Sequence, residues 1–335
     1  MTSAASSPDR QNRRSHWLVV GGVAVVAFVF RGCLLLMSSR VAVFPGTDDT
    51  WYDAVARSIE RGDFGRLPAV FSGSVLSPRF PPAYPLVLSA GRGLLFWVET
   101  QNAHRWTGVV LGALAAGTVA ALAWRLSRIT RSSTRVLLTL AAGLLFAMNP
   151  VVAGASTSLM AEALVLPVAA LVLLLVDRLV TGDGGTGEVI VLGVLLAVGA
   201  LTRSEAIVVL SAAVLGGWLA SRRERRWILP LAIGVAAVIT WSAVVSVAAG
   251  RPVAISTNSG SLLLGANCPR LHNADGIGYW SFVCLPLPDV KMSAATARRT
   301  RAQDNFLMKN FAFPPQIVAR AEAEISRAQL DAAID

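Results

Sequence analysis

The sequence predicts an all-α polytopic membrane protein. Of its 335 residues, 54% are hydrophobic and 15% are charged. The apolar residues form long runs rather than the one-sided stripes of helices in soluble proteins. The basic residues cluster in short segments between these runs, so the positive-inside rule explains the net charge of +10 better than nucleic-acid binding does.

The chain begins with a polar segment and one apolar run. Residues 1–16 are predicted to be a disordered cytoplasmic tail, and Trp17 to Met37 the first membrane span. A cleaved signal peptide is the alternative, but no small-residue cleavage site follows the run. We therefore expect an uncleaved anchor with its N-terminus in the cytoplasm. Arg31, inside this span, is expected to pack against a helix or meet a lipid headgroup.

A long polar loop, residues 38–104, follows the first span and is predicted to be extracytoplasmic. Thr47 or Asp48 can cap a helix that Gly62 ends. Apolar residues recur every four positions between them, which predicts a helix lying on the membrane surface.

The topology depends on whether Ala83 to Val98 crosses the membrane. This stretch is shorter than the roughly 20 apolar residues that a span needs. If it crossed, the arginine clusters at 125–135 and 222–226 would both lie outside. The charge rule disfavours that arrangement, so we predict a juxtamembrane helix.

The rest of the chain predicts about seven spans in a module over residues 17–249. Residues 250–335 are expected to form a small mixed extracytoplasmic region, and the chain is expected to continue beyond Asp335. The later spans are Trp106 to Trp124, two within Val136 to Val176 with a turn at 149–158, two short ones within Glu188 to Ala220, and Trp227 to Ala249.

Asp48 and Asp49 are the first candidates for catalysis. Adjacent carboxylates are suited to accept a proton, because repulsion between them favours the protonated form of one. The alternative is that Asp48 only caps the helix.

Four more charged residues fall on the predicted outer side. Glu162 follows the turn at 149–158, and acids at membrane depth usually have a functional role, although a structural pair is the alternative. Arg203 and Glu205 occupy the tip of the short hairpin and can bind substrate or simply pair with each other. Arg79 can grip a phosphate or anchor the loop at the surface.

Histidines and cysteines give little indication of a metal site. His16, His104 and His272 are scattered, and none is assigned a role. Cys268 and Cys284 share the C-terminal region and form either a disulfide or two free thiols.

Several motifs together resemble the GT-C glycosyltransferases, in particular the protein O-mannosyltransferase-like enzymes and the lipid A aminoarabinose transferase. The match spans residues 31–267, and the order and spacing of its motifs carry it. These are Asp48-Asp49-x-x-Tyr52, Phe80-Pro81-Pro82-x-Tyr84-Pro85, Asn149-Pro150, the stretch Leu159 to Leu164, Ala200 to Arg203, and Thr257-Asn258-x-Gly260 with Gly265-x-Asn267.

The resemblance implies transfer of a sugar from a polyprenyl-phosphate donor to an acceptor hydroxyl on the outer face. It assigns the base to Asp48 and a second catalytic acid to Glu162. The family's basic residue before the double proline falls on Phe80, so Arg79 is displaced by one. The candidate substrate-binding residues are Tyr52, Arg79, Arg203 and Glu205, and Arg203 or Arg79 is expected to stabilise the departing phosphate.

The resemblance also bears on cofactor, partners and location. Some relatives need a divalent metal and others do not; Asp48, Asp49 and Glu162 offer oxygen ligands for Mg²⁺ or Mn²⁺. The acceptor would be a glycan, lipid or protein of the cell envelope, and the location the plasma membrane of a bacterium. The alternative function is a non-enzymatic transporter or flippase of lipid-linked precursors. Such a protein should show paired broken helices or an internal repeat, and we find no repeat.

Overall fold

A computed structural model describes residues 8–38, 48–62, 81–128, 130–221, 224–249 and 252–255 of the chain. It divides into two compact units, one of residues 1–53 and 83–235 and the other of residues 54–82 and 236–335. The described residues contain ten α-helices and no strand. The helices are α1 (Pro8–Met37), α2 (Asp48–Glu60), α3 (Ala83–Leu94), α4 (Thr100–Leu126), α5 (Ser132–Met148), α6 (Pro150–Thr157), α7 (Glu162–Val180), α8 (Thr186–Ala200), α9 (Ser204–Ala220) and α10 (Ile228–Ala249).

Local sequence signals set several of these boundaries. Glu99 caps α4, because its carboxylate accepts hydrogen bonds from the N–H groups of Gln101 and Asn102 at 3.1 and 3.0 Å. The side chain of Asn149 caps α6 in the same way, with a proline at the first helical position. Gly62 lies just after α2 with φ 74°, which confirms the predicted end of that helix.

Helix α4 is the centre of the first unit and packs against α1, α3, α5, α6 and α7. Small residues allow the close approach: a Cβ on Gly108 would collide with the backbone carbonyl of Ser156, at the end of α6. Packing of small residues is the usual basis of helix association in membranes. The core between α1, α4 and α5 consists of Val20, Val23, Ala27, Ala113, Ala116, Ala120 and Ala147.

Polar contacts show how the helices run. Arg105, near the start of α4, donates to the hydroxyl of Ser38 at the end of α1 (2.9 Å) and to the carbonyl of Thr157 (3.0 Å). At the other end of α4, Arg125 pairs with Asp177 of α7 at 2.5 Å. Helices α4 and α7 are therefore parallel and α1 is antiparallel to both. We call the end with Ser38 and Thr157 the loop end, and the end with Arg125 the arginine end.

This arrangement agrees with a juxtamembrane helix over Ala83 to Val98, which stays a prediction. Helix α1 ends and α4 begins at the loop end, so the chain between them makes no net crossing. Helix α3 has only 12 residues, about 18 Å, and is not among the helices long and apolar enough to span. Arg226 donates to the carbonyl of Leu179 (2.9 Å), so both arginine clusters lie at the same end, as predicted.

The predicted count of seven spans is not confirmed. Among the described residues, four helices are long and apolar enough to cross a membrane, or five if α5 and α6, bent by 54° at Asn149, count as one span. Helices α8 and α9 have 15 and 17 residues, which agrees with the prediction of a short hairpin over 188–220. The all-α membrane class is confirmed.

The first helix corrects one prediction and resolves another. It begins at Pro8, so residues 8–16 are helical and the predicted disorder is wrong there. Proline is favoured at the first helical position because its missing N–H has no partner to lose. Arg31 is fully buried and its Nε donates to the hydroxyl of Ser156 at 3.0 Å, which confirms the helix-packing alternative.

In the second unit, the chain after α10 folds back along it. The indole of Trp241 donates to the carbonyl of Ile255 at 2.9 Å, and the hydroxyl of Ser246 pairs with the backbone of Val253. The predictions for Arg79, for the C-terminal region beyond residue 255 and for Cys268 and Cys284 lie outside the described residues.

Candidate active site

The site forms where the start of α2 meets the loop end of the bundle. Asp48 and Asp49 occupy the first turn of α2, where the helix dipole stabilises negative charge. Both are half-buried. One turn later, Tyr52 is buried at 4% exposure. The predicted helix thus carries its two acids and Tyr52 into the first unit.

Several charged side chains act electrostatically on the hydroxyl of Tyr52. Burial raises the pKa of Tyr52 above its ordinary value. Nearby negative charges raise it further, while the guanidinium of Arg203 acts in the opposite direction. The acids concerned are Asp48, Glu162 and Glu205. Residues far apart in sequence, and predicted separately, therefore share one electrostatic environment.

Glu162 and Arg203 form an ion pair between the start of α7 and the connection from α8 to α9. The Nε of Arg203 lies 3.5 Å from a carboxylate oxygen of Glu205. The second carboxylate oxygen of Glu162 is buried and has no hydrogen-bond partner among the residues that the structure describes. The structure thus places Arg203 between two acids and leaves one polar atom of Glu162 for another group.

An unusual backbone conformation lies three residues before Glu162. Leu159, in the short connection from α6 to α7, is buried with φ 56°, in the left-handed region that a bulky side chain rarely adopts. Such strain is held by surrounding structure and is frequent near functional sites. A backbone hydrogen bond joins α3 to the connection between α8 and α9, because the N–H of Ala83 donates to the carbonyl of Leu201 (2.9 Å).

Tyr84, on α3, completes the aromatic part of the site. It is fully buried, and its ring meets that of Tyr52 edge to face, with centroids 5.0 Å apart. Burial raises the pKa of its hydroxyl, and Tyr52 and Glu162 add to the shift. The hydroxyl has no hydrogen-bond partner in the part of the chain that the structure describes. A buried hydroxyl without a partner is costly, so this atom requires an explanation.

The model of the dolichyl-phosphate-mannose-protein mannosyltransferase family matches residues 81–249, just over half of the chain. The chain belongs to this family. Comparison with curated proteins and with solved structures gave no match. Membership makes the chain a membrane glycosyltransferase with a polyprenyl-phosphate-linked sugar as donor, which confirms the predicted class of enzyme.

The region matched to the mannosyltransferase family contains one part of the site only. Tyr84, Glu162, Arg203 and Glu205 lie inside residues 81–249, whereas the acids of α2 and Tyr52 precede them. Of the first group, Tyr84 contacts the ring of Tyr52, and Glu162, Arg203 and Glu205 act on the Tyr52 hydroxyl electrostatically.

One pair at the loop end was not predicted. His104, at the start of α4, is fully buried, and its Nδ1 lies 2.7 Å from a carboxylate oxygen of Asp53. Asp53 follows Asp49 by four residues, so the sequence places both on one face of α2. That spacing was the one feature in the sequence that pointed to Asp53 as part of the site. The pair holds the first turns of α2 against the start of α4. It thereby positions Asp48 and Asp49, the catalytic candidates on α2 of this mannosyltransferase-family chain.

The structure also bears on metal binding. Within the described ranges, no group of three or more His, Cys, Asp or Glu side chains stands together in a way that could hold a metal ion. Asp48, Asp49 and Glu162, the expected oxygen ligands, do not form such a group.

Proposed function

We propose that this chain transfers a sugar from a polyprenyl phosphate to an acceptor hydroxyl with inversion, using Asp48 as the base. The proposal rests on family membership for the donor class. The observation that supports the assignment of residues is the common environment of Asp48, Glu162, Arg203 and Glu205 around the hydroxyl of Tyr52.

The proposed reaction is a single displacement. The acceptor oxygen attacks the anomeric carbon from the face opposite to the phosphate and forms the new glycosidic bond. The bond between that carbon and the phosphate oxygen breaks, and its electron pair leaves with the polyprenyl phosphate. The acceptor proton passes to the carboxylate of Asp48. No paired acid is needed, because a phosphate ester is already a good leaving group.

Arg203 is the proposed cation for the departing phosphate. Its fork of N–H donors suits a phosphate, and the Glu162 carboxylate holds it in place. Glu162 and Glu205 therefore act as positioning residues through Arg203. The hydroxyls of Tyr52 and Tyr84 are proposed to contact the sugar or the acceptor, and the structure describes no partner for the Tyr84 hydroxyl.

Asp49 and Arg79 keep the roles that the sequence suggests for them. Asp49 adds negative charge in the first turn of α2 and favours proton uptake by its neighbour. Arg79 precedes the region matched to the family, and its phosphate contact stays a proposal. Mg²⁺ or Mn²⁺ stays an alternative that chelation can test.

We propose that the loop end faces away from the cytoplasm, in the plasma membrane of a bacterium. Both arginine clusters gather at the opposite end, and an excess of arginine is typical of cytoplasmic loops. A cell-envelope glycan, lipid or protein is the proposed acceptor, and the sugar can be a hexose or a pentose.

The test compares wild type with Asp48→Asn in membranes that contain the full protein. Labelled polyprenyl-phosphate sugars are supplied, and transfer to endogenous acceptors is followed with and without EDTA. Glu60→Gln is the matched control, because it removes an acid from the far end of the same helix. If transfer is lost in Asp48→Asn and kept in Glu60→Gln at equal protein level, the result supports Asp48 as the catalytic base.

Two outcomes would contradict the proposal. Full activity of Asp48→Asn would return this residue to the role of a helix cap. Flipping of a lipid-linked sugar across proteoliposomes without any transfer would favour the transporter alternative instead.

A further inference from the structure

We propose that a groove at the arginine end binds an anionic glycerophospholipid. The groove has a volume of about 710 Å³, within the range of small-ligand pockets, and lies between α1, α4, α5 and α7. Its mouth holds His16, Arg125, Arg135 and Arg178, and its wall is apolar. No residue of the site proposed for sugar transfer contributes to it.

The charges at the mouth are not all satisfied within the protein. Arg125 pairs with Asp177 and Asp183, and an Nη of Arg178 binds Glu188 at 2.8 Å. Arg135 has no carboxylate partner among the described residues. Its guanidinium stacks 4.3 Å from the ring centroid of Trp124, and its Nε donates to a backbone carbonyl. These three arginines and three carboxylates balance in number, but the guanidinium of Arg135 is the one that no carboxylate contacts within the described residues.

Two further polar atoms of lining residues lack partners. The Nε2 of His16 and the Nε of Arg178 are buried, and neither has a hydrogen-bond partner in the described part of the chain. Buried polar atoms normally find a partner, and these two residues line the same groove as Arg135, so the three groups together suit an anion with several acceptor oxygens. A phosphate group supplies both the charge and the acceptors.

The wall next to these groups fits an acyl chain. It is lined by residues such as Val20, Ala24, Leu114 and Leu174. The space in front of Gly21 is open, because a Cβ there would meet nothing within 4 Å. A cation above an apolar channel between membrane helices is the arrangement that binds phospholipid headgroups.

The position favours a bulk phospholipid over the polyprenyl donor. Arg178 lies sixteen residues after Glu162 on α7, about 24 Å along the helix. A donor whose phosphate occupied the groove would hold its sugar far from Asp48 and Glu162. We therefore assign the groove to a phospholipid of the leaflet at the arginine end.

The test uses the purified full-length chain and a photoactivatable phosphatidylglycerol. Capture is measured in competition with unlabelled phosphatidylglycerol, phosphatidylcholine or a polyprenyl phosphate, and the labelled peptides are mapped. We expect labelling in α1 and α4 that phosphatidylglycerol suppresses and phosphatidylcholine does not. Arg135→Gln should lower capture about fivefold, the usual effect of one basic residue near an anionic lipid.

Two other variants make the result specific. Arg128→Gln removes the same charge from an exposed position at the same end, outside the groove, and should leave capture unchanged. Gly21→Leu fills the groove without changing charge and should lower capture with an unchanged melting temperature. Equal competition by phosphatidylcholine, or equal losses in Arg128→Gln and Arg135→Gln, would overturn the proposal. Stronger competition by the polyprenyl phosphate would assign the groove to the carrier lipid and overturn it as well.

Discussion

Replacing Tyr84 by phenylalanine separates structural from substrate roles at the proposed site. The variant removes one hydroxyl and keeps the ring that meets Tyr52 edge to face. That hydroxyl is fully buried and has no partner among the described residues. If it served the fold alone, its loss would not reduce stability, because no hydrogen bond would be broken.

The expected magnitudes follow from this burial. An unpaired buried hydroxyl costs roughly 1–3 kcal/mol in proteins, so Tyr84→Phe should keep or raise the free energy of unfolding. A hydrogen bond between neutral partners contributes about 0.5–1.5 kcal/mol. If substrate supplies the partner, transfer should fall by about twofold to about tenfold. Stability and activity are thus expected to move in opposite directions.

The assay measures sugar transfer in proteoliposomes and thermal stability by size exclusion after heating. Tyr84→Leu is the control, because it also removes the ring contact, which is worth about 0.5–1.5 kcal/mol, and should lower stability. A lower melting temperature for Tyr84→Phe would refute the reasoning, since it would show a hydrogen bond within the protein. Unchanged transfer with unchanged stability would remove Tyr84 from the substrate site.

Three further predictions concern the ion pair, the packing and the response to acid. Glu162→Gln and Arg203→Gln should each lower transfer more than about tenfold. The double variant should retain as much transfer as the less active single variant, because the two residues act as one pair. Additive losses would argue against a joint role. Gly108→Ala should lower the melting temperature, since its Cβ would collide with a backbone carbonyl, whereas Gly154→Ala, which meets nothing within 4 Å, should not. The hydrogen bond from the Arg125 guanidinium lowers the pKa of Asp183 below its ordinary value. The stabilisation from this pair is therefore present above about pH 4 and is lost as pH falls through the lowered pKa. Asp183→Asn should accordingly flatten the acid limb of a pH–stability curve.

The helical module follows from the sequence because membrane helices satisfy their own backbone hydrogen bonds and need only length and apolarity. The helix that begins at Asp48 and the short hairpin around Arg203 are predicted from local signals, and the structure confirms them. The break at Asn149 is confirmed as well, but the turn predicted over 149–158 is wrong for Pro150–Thr157, which form helix α6 behind the Asn149 cap. The number of spans was not predictable in this way. Composition describes α8 and α9 equally well as short spans or as helices that stop short of crossing.

Which residues of the candidate site contact each other was only partly predictable from the sequence. Glu162 and Arg203 were chosen because charges at membrane depth are costly, but their pairing depends on the packing of α7 against α8 and α9. His104 shows the limit more clearly. A lone histidine before an apolar run has no partner in sequence, and Asp53 becomes its partner only because α2 folds against α4.

The charges at the two ends of the bundle differ in a way that bears on mechanism. At the arginine end, Asp177 and Asp183 are each paired with Arg125. At the loop end, Asp48, Glu162 and Glu205 all raise the pKa of Tyr52, and Arg203 is the one cation that acts on it within the described residues. Acids alone would repel a donor phosphate. In the proposed reaction Arg203 offsets that repulsion and stabilises the departing phosphate, a role that suits a guanidinium held in place by the Glu162 carboxylate.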